Sequence, residues 1–104
     1  MSHNVVLKLK NKGKVAKTVE LCFQTTTEET KRILGGSNEL LDFELGLKRI
    51  TEVMDARGMT EDDYEETPWG GLKPIKVKKS KLEIARLREI AAQHSNLQPV
   101  WSWH

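Results

Sequence analysis

Five apolar residues between positions 40 and 54 recur at spacings of three, four, three and four, which is the strongest periodic signal in the chain. Such spacing places them on one side of an α-helix. We therefore predict a helix over residues 38–57, with Ser37 or Asn38 as its N-cap and Gly58 as its stop. Gly46 inside this helix costs about 1 kcal/mol relative to alanine, which indicates that another element crosses closely there. The stripe consists of Leu40, Phe43, Leu47, Ile50 and Met54.

Residues 5–10 and residues 15–23 alternate apolar and polar residues with period two, which predicts two strands with one buried face. Asn11-Lys12-Gly13 separates them and favours a three-residue hairpin loop with Gly13 in the left-handed region. That register pairs Lys10 with Lys14, whereas a two-residue turn would mix apolar and polar residues on each face. The predicted buried face consists of Val5, Leu7, Leu9, Val19, Leu21 and Phe23.

Two capping boxes predict the start of two further helices, one formed by Thr26 with Glu29 and the other by Ser80 with Glu83. The first helix is expected to be short, because the glycine pair at positions 35 and 36 follows it closely. The second is expected to fade before Pro99.

The remaining segments complete a predicted order of β-β-α-α-β-α-tail. Residues 60–71 are acidic and are expected to form a loop, with Thr60 capping at most one helical turn. Residues 72–79 alternate again and predict a third strand, which Pro74 places at a sheet edge. We expect an α+β fold, in which the N-terminal hairpin plus this third strand form a small antiparallel sheet and two to three helices pack on one face.

Length and cysteine usage bound the class of protein. The chain has 104 residues, so we expect a single domain over residues 1–104. Its single cysteine, Cys22, can form no intramolecular disulfide, and no apolar run approaches the ~20 residues that a bilayer span needs. A soluble cytoplasmic protein with no membrane partner is the expectation.

Residue patterns typical of enzymes are missing. The glycine pairs lack the spacing and the following lysine of a phosphate-binding loop, and no serine lies in a nucleophile elbow. The histidines at positions 3, 94 and 104 and the lone Cys22 suggest no metal site. We therefore expect no enzymatic activity, no catalytic residue, no metal and no cofactor.

Charge is segregated along the chain, although the net charge is only +2. Residues 25–70 hold twelve acids against five bases, and basic segments flank them. This asymmetry is either self-complementary or a hint about partners. The acidic run at residues 61–66 is either a solvated turn or part of a recognition surface with Tyr64 and Trp69 as anchors.

The C-terminal segment carries two further tryptophans, Trp101 and Trp103, which would share one face of a strand. We expect this face to pack on the domain's own sheet, with Ser102 in solvent; the alternative is that the tryptophans anchor a partner or a second copy of the chain. The preferred interpretation is a small non-enzymatic binding or regulatory protein that contacts another protein. Small size and absent chemistry are typical of phage- or plasmid-type accessory proteins.

Nucleic-acid binding is the alternative. If the third strand neighbours the first hairpin, outward lysines would form one basic face able to meet phosphates. Lysines also protect strand edges, and lysine is poorer than arginine at reading bases. The residues of this alternative face are Lys8, Lys10, Lys76, Lys78, Lys79 and Lys81.

Overall fold

The computed structural model describes all 104 residues as an α+β fold of seven strands and three helices. The strands are β1 (Ser2–His3), β2 (Val5–Asn11), β3 (Lys14–Glu20), β4 (Thr25–Thr26), β5 (Thr60–Glu66), β6 (Leu72–Lys78) and β7 (Gln98–Trp103). The helices are α1 (Thr27–Leu34), α2 (Phe43–Ala56) and α3 (Lys79–Gln93). None of the three helices is both long enough and apolar enough to cross a bilayer.

The strands form three small antiparallel sheets, which confirms the predicted fold class. The main sheet has the order β3-β2-β7, the short strands β1 and β4 pair with each other, and β5 pairs only with β6. The predicted third strand is present as β6, but its predicted place in one sheet with the N-terminal hairpin was wrong. The C-terminal segment completes the main sheet, whereas residues 72–78 form a separate hairpin with the acidic segment that was expected to be a loop.

The β2–β3 hairpin has a two-residue turn, so the predicted three-residue loop was wrong. Lys12 (φ 51°) and Gly13 (φ 82°) both have positive φ, as a type I′ turn requires, and Asn11 faces Lys14. A bulge then leaves Ala16 without a partner on β2. Beyond the bulge, apolar residues of the two strands lie on the same face, as Leu7 and Val19 do. The predicted buried face is thus formed by Val5, Leu7, Leu9, Val19 and Leu21, with Phe23 packed against its edge.

Helix α1 begins and ends as its sequence predicts. Thr26 and Glu29 form both bonds of the capping box, and Gly35 ends the helix in the left-handed conformation with φ 67°. Arg57, just after α2, binds the Glu29 carboxylate and donates to Gln24 O at 2.8 Å. This ion pair fastens the end of α2 to the start of α1.

Helix α2 begins later than predicted, at Phe43, because the preceding residues have another partner. Leu40 exchanges two backbone hydrogen bonds of 2.9 Å with Trp101 and so extends the main sheet by one residue. Asp42 is therefore the N-cap, accepting from Leu45 N at 3.0 Å. Gly46 lies directly against Trp101, which confirms the close crossing predicted at that glycine.

The second predicted capping box is not formed, because tertiary contacts use both of its side chains. Ser80 Oγ donates to Asp55 Oδ1 at 2.7 Å, which ties the start of α3 to the end of α2. Glu83 is buried and accepts from Cys22 N at 2.6 Å. Helix α3 instead begins at Lys79 without a side-chain cap.

The hydrophobic core lies between the main sheet and the helices. From α2 come Leu47, Ile50, Val53 and Met54, and α3 adds Leu87, all of them buried against the inward face of the sheet. This arrangement leaves β5 and β6 outside the core cluster entirely.

Candidate functional site

The β5–β6 hairpin, residues 60–78, forms a separate two-stranded ribbon that we call the arm. Every residue of β5 is exposed, and of β6 only Ile75 and Val77 are half-buried. The arm contacts the rest of the chain chiefly at α3, and the molecule is elongated, measuring 54 × 32 × 18 Å. An isolated two-stranded ribbon is marginally stable in water, so an arm that no other sheet or helix covers along its length is unusual.

The hydrogen-bond register determines which backbone groups of the arm point outward. Lys79 N donates to Met59 O at 3.1 Å at the base, and Thr67 N donates to Gly71 O at 2.9 Å near the tip. Bonded and non-bonded pairs alternate in an antiparallel ladder, so odd-numbered residues bond across it. The backbone groups of the even-numbered residues, such as Asp62 in β5 and Pro74 in β6, therefore face the two free edges.

The tip of the arm is a tight three-residue loop that holds a tryptophan at its apex. Gly70 N donates to Thr67 O at 3.1 Å, and Gly70 has φ 81°. Proline follows Thr67, as suits the second position of a turn, and the left-handed glycine closes the loop. Trp69 is consequently 92% exposed.

The large exposed apolar side chains of the arm lie in its outer part. Tyr64 faces Pro74 across the ladder, and the next pair on that face is Glu66 with Leu72. Both Tyr64 and Leu72 are exposed, as is Trp69 at the tip. Both anchors predicted in the acidic segment thus lie exposed on the arm, and so does Leu72, which sequence reasoning missed.

The two strands of the arm carry opposite charge. Strand β5 contains five acids, whereas β6 contains three lysines and no acid. One cross-strand ion pair forms, Lys76 Nζ to Asp62 Oδ1 at 2.7 Å, and Lys78 pairs instead with Asp55 of α2 at 3.7 Å. The remaining acids of β5 have no ion-pair partner; they are Glu61, Asp63, Glu65 and Glu66.

The two C-terminal tryptophans pack within the chain as β7. Trp101 is fully buried, which agrees with the expected packing on the domain's own sheet and is contrary to its alternative role as an exposed partner anchor. Trp103 is 41% exposed, with its ring edge-on to His3 at 5.1 Å between centroids. Ser102 was expected in solvent but is buried on the outer face of the main sheet, where it faces Val6.

The predicted lysine face is not assembled. Lys8 and Lys10 lie on β2 in the main sheet, whereas Lys76 and Lys78 lie on the arm. Because β2 and β6 belong to different sheets, the neighbouring strands that this face required are not present. The last two of its residues, Lys79 and Lys81, lie in the first turn of α3.

A thiol, a carboxylate and a guanidinium meet at the base of the arm. Burial would raise the pKa of Glu83, but hydrogen bonds from Arg86 and Cys22 hold it below its ordinary value. Desolvation and the hydrogen bond to Glu83 raise the pKa of the Cys22 thiol to about 11. A protonated thiol is a poor nucleophile, so this cluster has the chemistry of a structural contact.

No other part of the surface shows a feature that indicates a bound ligand. A cleft of about 290 Å³ beside Trp103 is lined mainly by polar residues, including His3, Lys31, Ser37 and Asn38. No buried side-chain nitrogen or oxygen lacks a hydrogen-bond partner, so none there awaits a ligand. No group of three or more His, Cys, Asp or Glu side chains is arranged to hold a metal ion.

Comparison with known proteins gives no relative from which a function could be transferred. No family model, no curated protein and no solved structure matches this chain. The geometry of the arm is therefore the main basis for a functional proposal.

Proposed function

We propose that this chain is a small non-enzymatic binding protein that contacts another protein through its arm. One observation carries the proposal: Trp69 is 92% exposed at the tip of an arm that also exposes Tyr64 and Leu72 and contains no buried residue. Exposed apolar groups gathered at one place on a soluble domain are typical of interaction sites.

The physical chemistry of these side chains suits a protein interface. Each aromatic ring can bury ~150–250 Å² on binding, and tryptophan and tyrosine are enriched among the residues that dominate binding energy. A tight loop fixes the backbone at Trp69, so little backbone freedom would be lost there on association. The charged residues that follow toward the base would form the polar rim of such a contact.

Site-specific photocross-linking in the native host tests the proposal. A photoreactive amino acid replaces Trp69 in one variant and Leu41 in a matched control, because Leu41 is also an exposed apolar residue but lies outside the arm, just before α2. We expect a discrete protein adduct from position 69 and none from position 41. Equal labelling from both positions, or none from position 69, would contradict the proposal.

A second comparison separates protein binding from the nucleic-acid alternative. The double variant Trp69→Ser, Tyr64→Ser should lose the complex while its melting temperature stays unchanged, because neither side chain contacts the core. The complex should survive nuclease treatment. Loss of the complex on nuclease treatment, together with steeply salt-dependent binding to duplex DNA that Lys76→Glu and Lys78→Glu abolish, would favour the alternative.

A further inference from the structure

We infer that the free edge of β5 accepts an extended, lysine- or arginine-rich segment of a different protein as an added strand of the arm. This inference rests on the proposed function, since it names the kind of partner that the arm would bind. Strand addition at a sheet edge obtains affinity from backbone hydrogen bonds and specificity from side chains.

The two edges of the arm differ in their ability to pair. The outward backbone groups of β5 belong to Thr60, Asp62, Tyr64 and Glu66, all of which possess an N–H. At the centre of the β6 edge, Pro74 has no N–H to donate. Only the β5 edge therefore has an N–H at every outward position, although that of Tyr64 is bonded to the Asp63 carboxylate in the isolated chain.

The charge of β5 determines which strand can join it. Its four unpaired acids, Glu61, Asp63, Glu65 and Glu66, would lie about 5 Å from the neighbouring strand, where attraction to lysine or arginine is strong. The lysines of β6 lie one strand farther away, at roughly 10 Å, which exceeds the Debye length of about 8 Å at physiological salt. A basic strand on the β5 side therefore experiences mainly the acids.

The same features disfavour a second copy of this chain as the occupant. Pairing β5 with β5 of another copy would place acids opposite acids, which destabilises a sheet. Pairing β5 with the β6 edge of another copy would place Pro74 where a donor is required. In the isolated chain, Tyr64 N donates to the neighbouring Asp63 carboxylate at 2.8 Å, which occupies one edge donor until a partner replaces it.

A synthetic peptide provides the direct test. The probe has ten residues of alternating lysine and threonine, and the control replaces each lysine with glutamate. On binding the probe, the outward amides of Asp62 and Glu66 should exchange with solvent at least about 10-fold more slowly, while those of Leu72 and Lys76 on β6 should not change. Protection on β6, equal binding of the control peptide, or binding without amide protection would each overturn the inference.

Two substitutions at one position separate edge pairing from simple charge attraction. Asp62→Pro removes an outward N–H, as Pro74 does on the other edge, without removing a bond of the ladder. We expect it to weaken probe binding by about 10-fold or more, whereas Asp62→Asn should change it by less than about threefold. Equal affinities of the two variants would refute strand addition. Should Asp62→Pro distort the arm, amide exchange in the unaltered protein remains decisive.

Failure of this inference is distinguishable from failure of the proposed function. Cross-linking at position 69 without protection of the β5 amides would keep the arm as a binding site and reject strand addition. Sedimentation that shows a dimer with protected β5 amides and no peptide present would identify a second copy as the occupant, and would overturn the inference.

Discussion

A Cβ atom placed on Gly46 would lie only 2.1 Å from Nε1 of Trp101. Gly46 has no side chain, and the indole of Trp101 occupies the space that a side chain would need. Trp101 Nε1 donates to Phe43 O at 3.1 Å, and the two rings stack with centroids 5.8 Å apart. The crossing of α2 over β7 thus depends on a glycine in the middle of a helix.

Gly46→Ala should destabilise the protein by about 1–3 kcal/mol or more, although alanine is the better helix former. The added methyl group must displace either the indole or the helix backbone. Urea unfolding followed by circular dichroism would measure the loss, with Glu52→Ala on the exposed side of α2 as the control. A change of less than about 0.5 kcal/mol in both variants would show that the crossing is loose.

Trp101→Ala and Trp103→Ala form a matched pair, since both residues lie on β7 two positions apart. Truncation of the buried Trp101 should cost about 3–5 kcal/mol, whereas truncation of the 41% exposed Trp103 should cost about 1 kcal/mol or less. In thermal unfolding, 1 kcal/mol corresponds to roughly 4–8 °C for a domain of this size. Similar losses for both variants would contradict the difference in burial between the two side chains.

The Glu29–Arg57 ion pair should make stability depend on pH in the acid range. Hydrogen bonds from Arg57 lower the pKa of Glu29 from its ordinary 4.5 to about 2. Its contribution, at most about 3 kcal/mol before screening by solvent, is complete above pH 4.5 and disappears as the pH falls through about 2.

Glu29→Gln isolates this charge, because glutamine can still accept in the capping box. The variant should be less stable than the unaltered protein at pH 7, and the difference should shrink progressively below pH 4.5. Unfolding in urea at pH 7, 4 and 2.5 would measure it. A difference that does not vary with pH would assign the effect to geometry and not to charge.

Cys22 should react slowly with alkylating reagents despite its exposed position. With its pKa raised to about 11, the thiolate fraction at pH 8 is roughly 100-fold smaller than for a thiol at the ordinary value of 9.0. Glu83→Gln should speed alkylation at pH 8, because the neutral amide no longer opposes the thiolate. A reaction midpoint near pH 9 in the unaltered protein would contradict this assignment.

Elements that bury an apolar face could be predicted from the sequence. The alternation around Val5 and Val19, the stripe through Ile50 and the capping box at Thr26 each led to an element that is present. Gly46 also predicted the close crossing, because its cost in a helix requires a reason. The exact hairpin register was missed, since the compensating bulge at Ala16 leaves no mark in the apolar pattern.

The arm could not be predicted by the same reasoning. Strand β5 buries no side chain, and Asp and Glu have low strand propensity, so neither periodicity nor composition indicated a strand. A weaker signal was present: Pro68-Trp69-Gly70 suits a three-residue hairpin loop, with acids before it and lysines after it. For Glu83 the error was the opposite one. Its spacing from Ser80 predicted a local capping box, whereas its carboxylate makes a long-range contact to Cys22.

The position of β7 beside β2 has a consequence for how the chain folds. The main sheet pairs Val5 with Trp103, which are separated by most of the sequence. Because a very long loop must close first, its entropy is lost before the favourable contacts between these strands can form. Such contacts of high sequence separation slow folding, whereas the arm closes over a three-residue loop. We therefore expect arm formation and core formation to be kinetically separate events, with the closure of β7 onto β2 setting the overall rate.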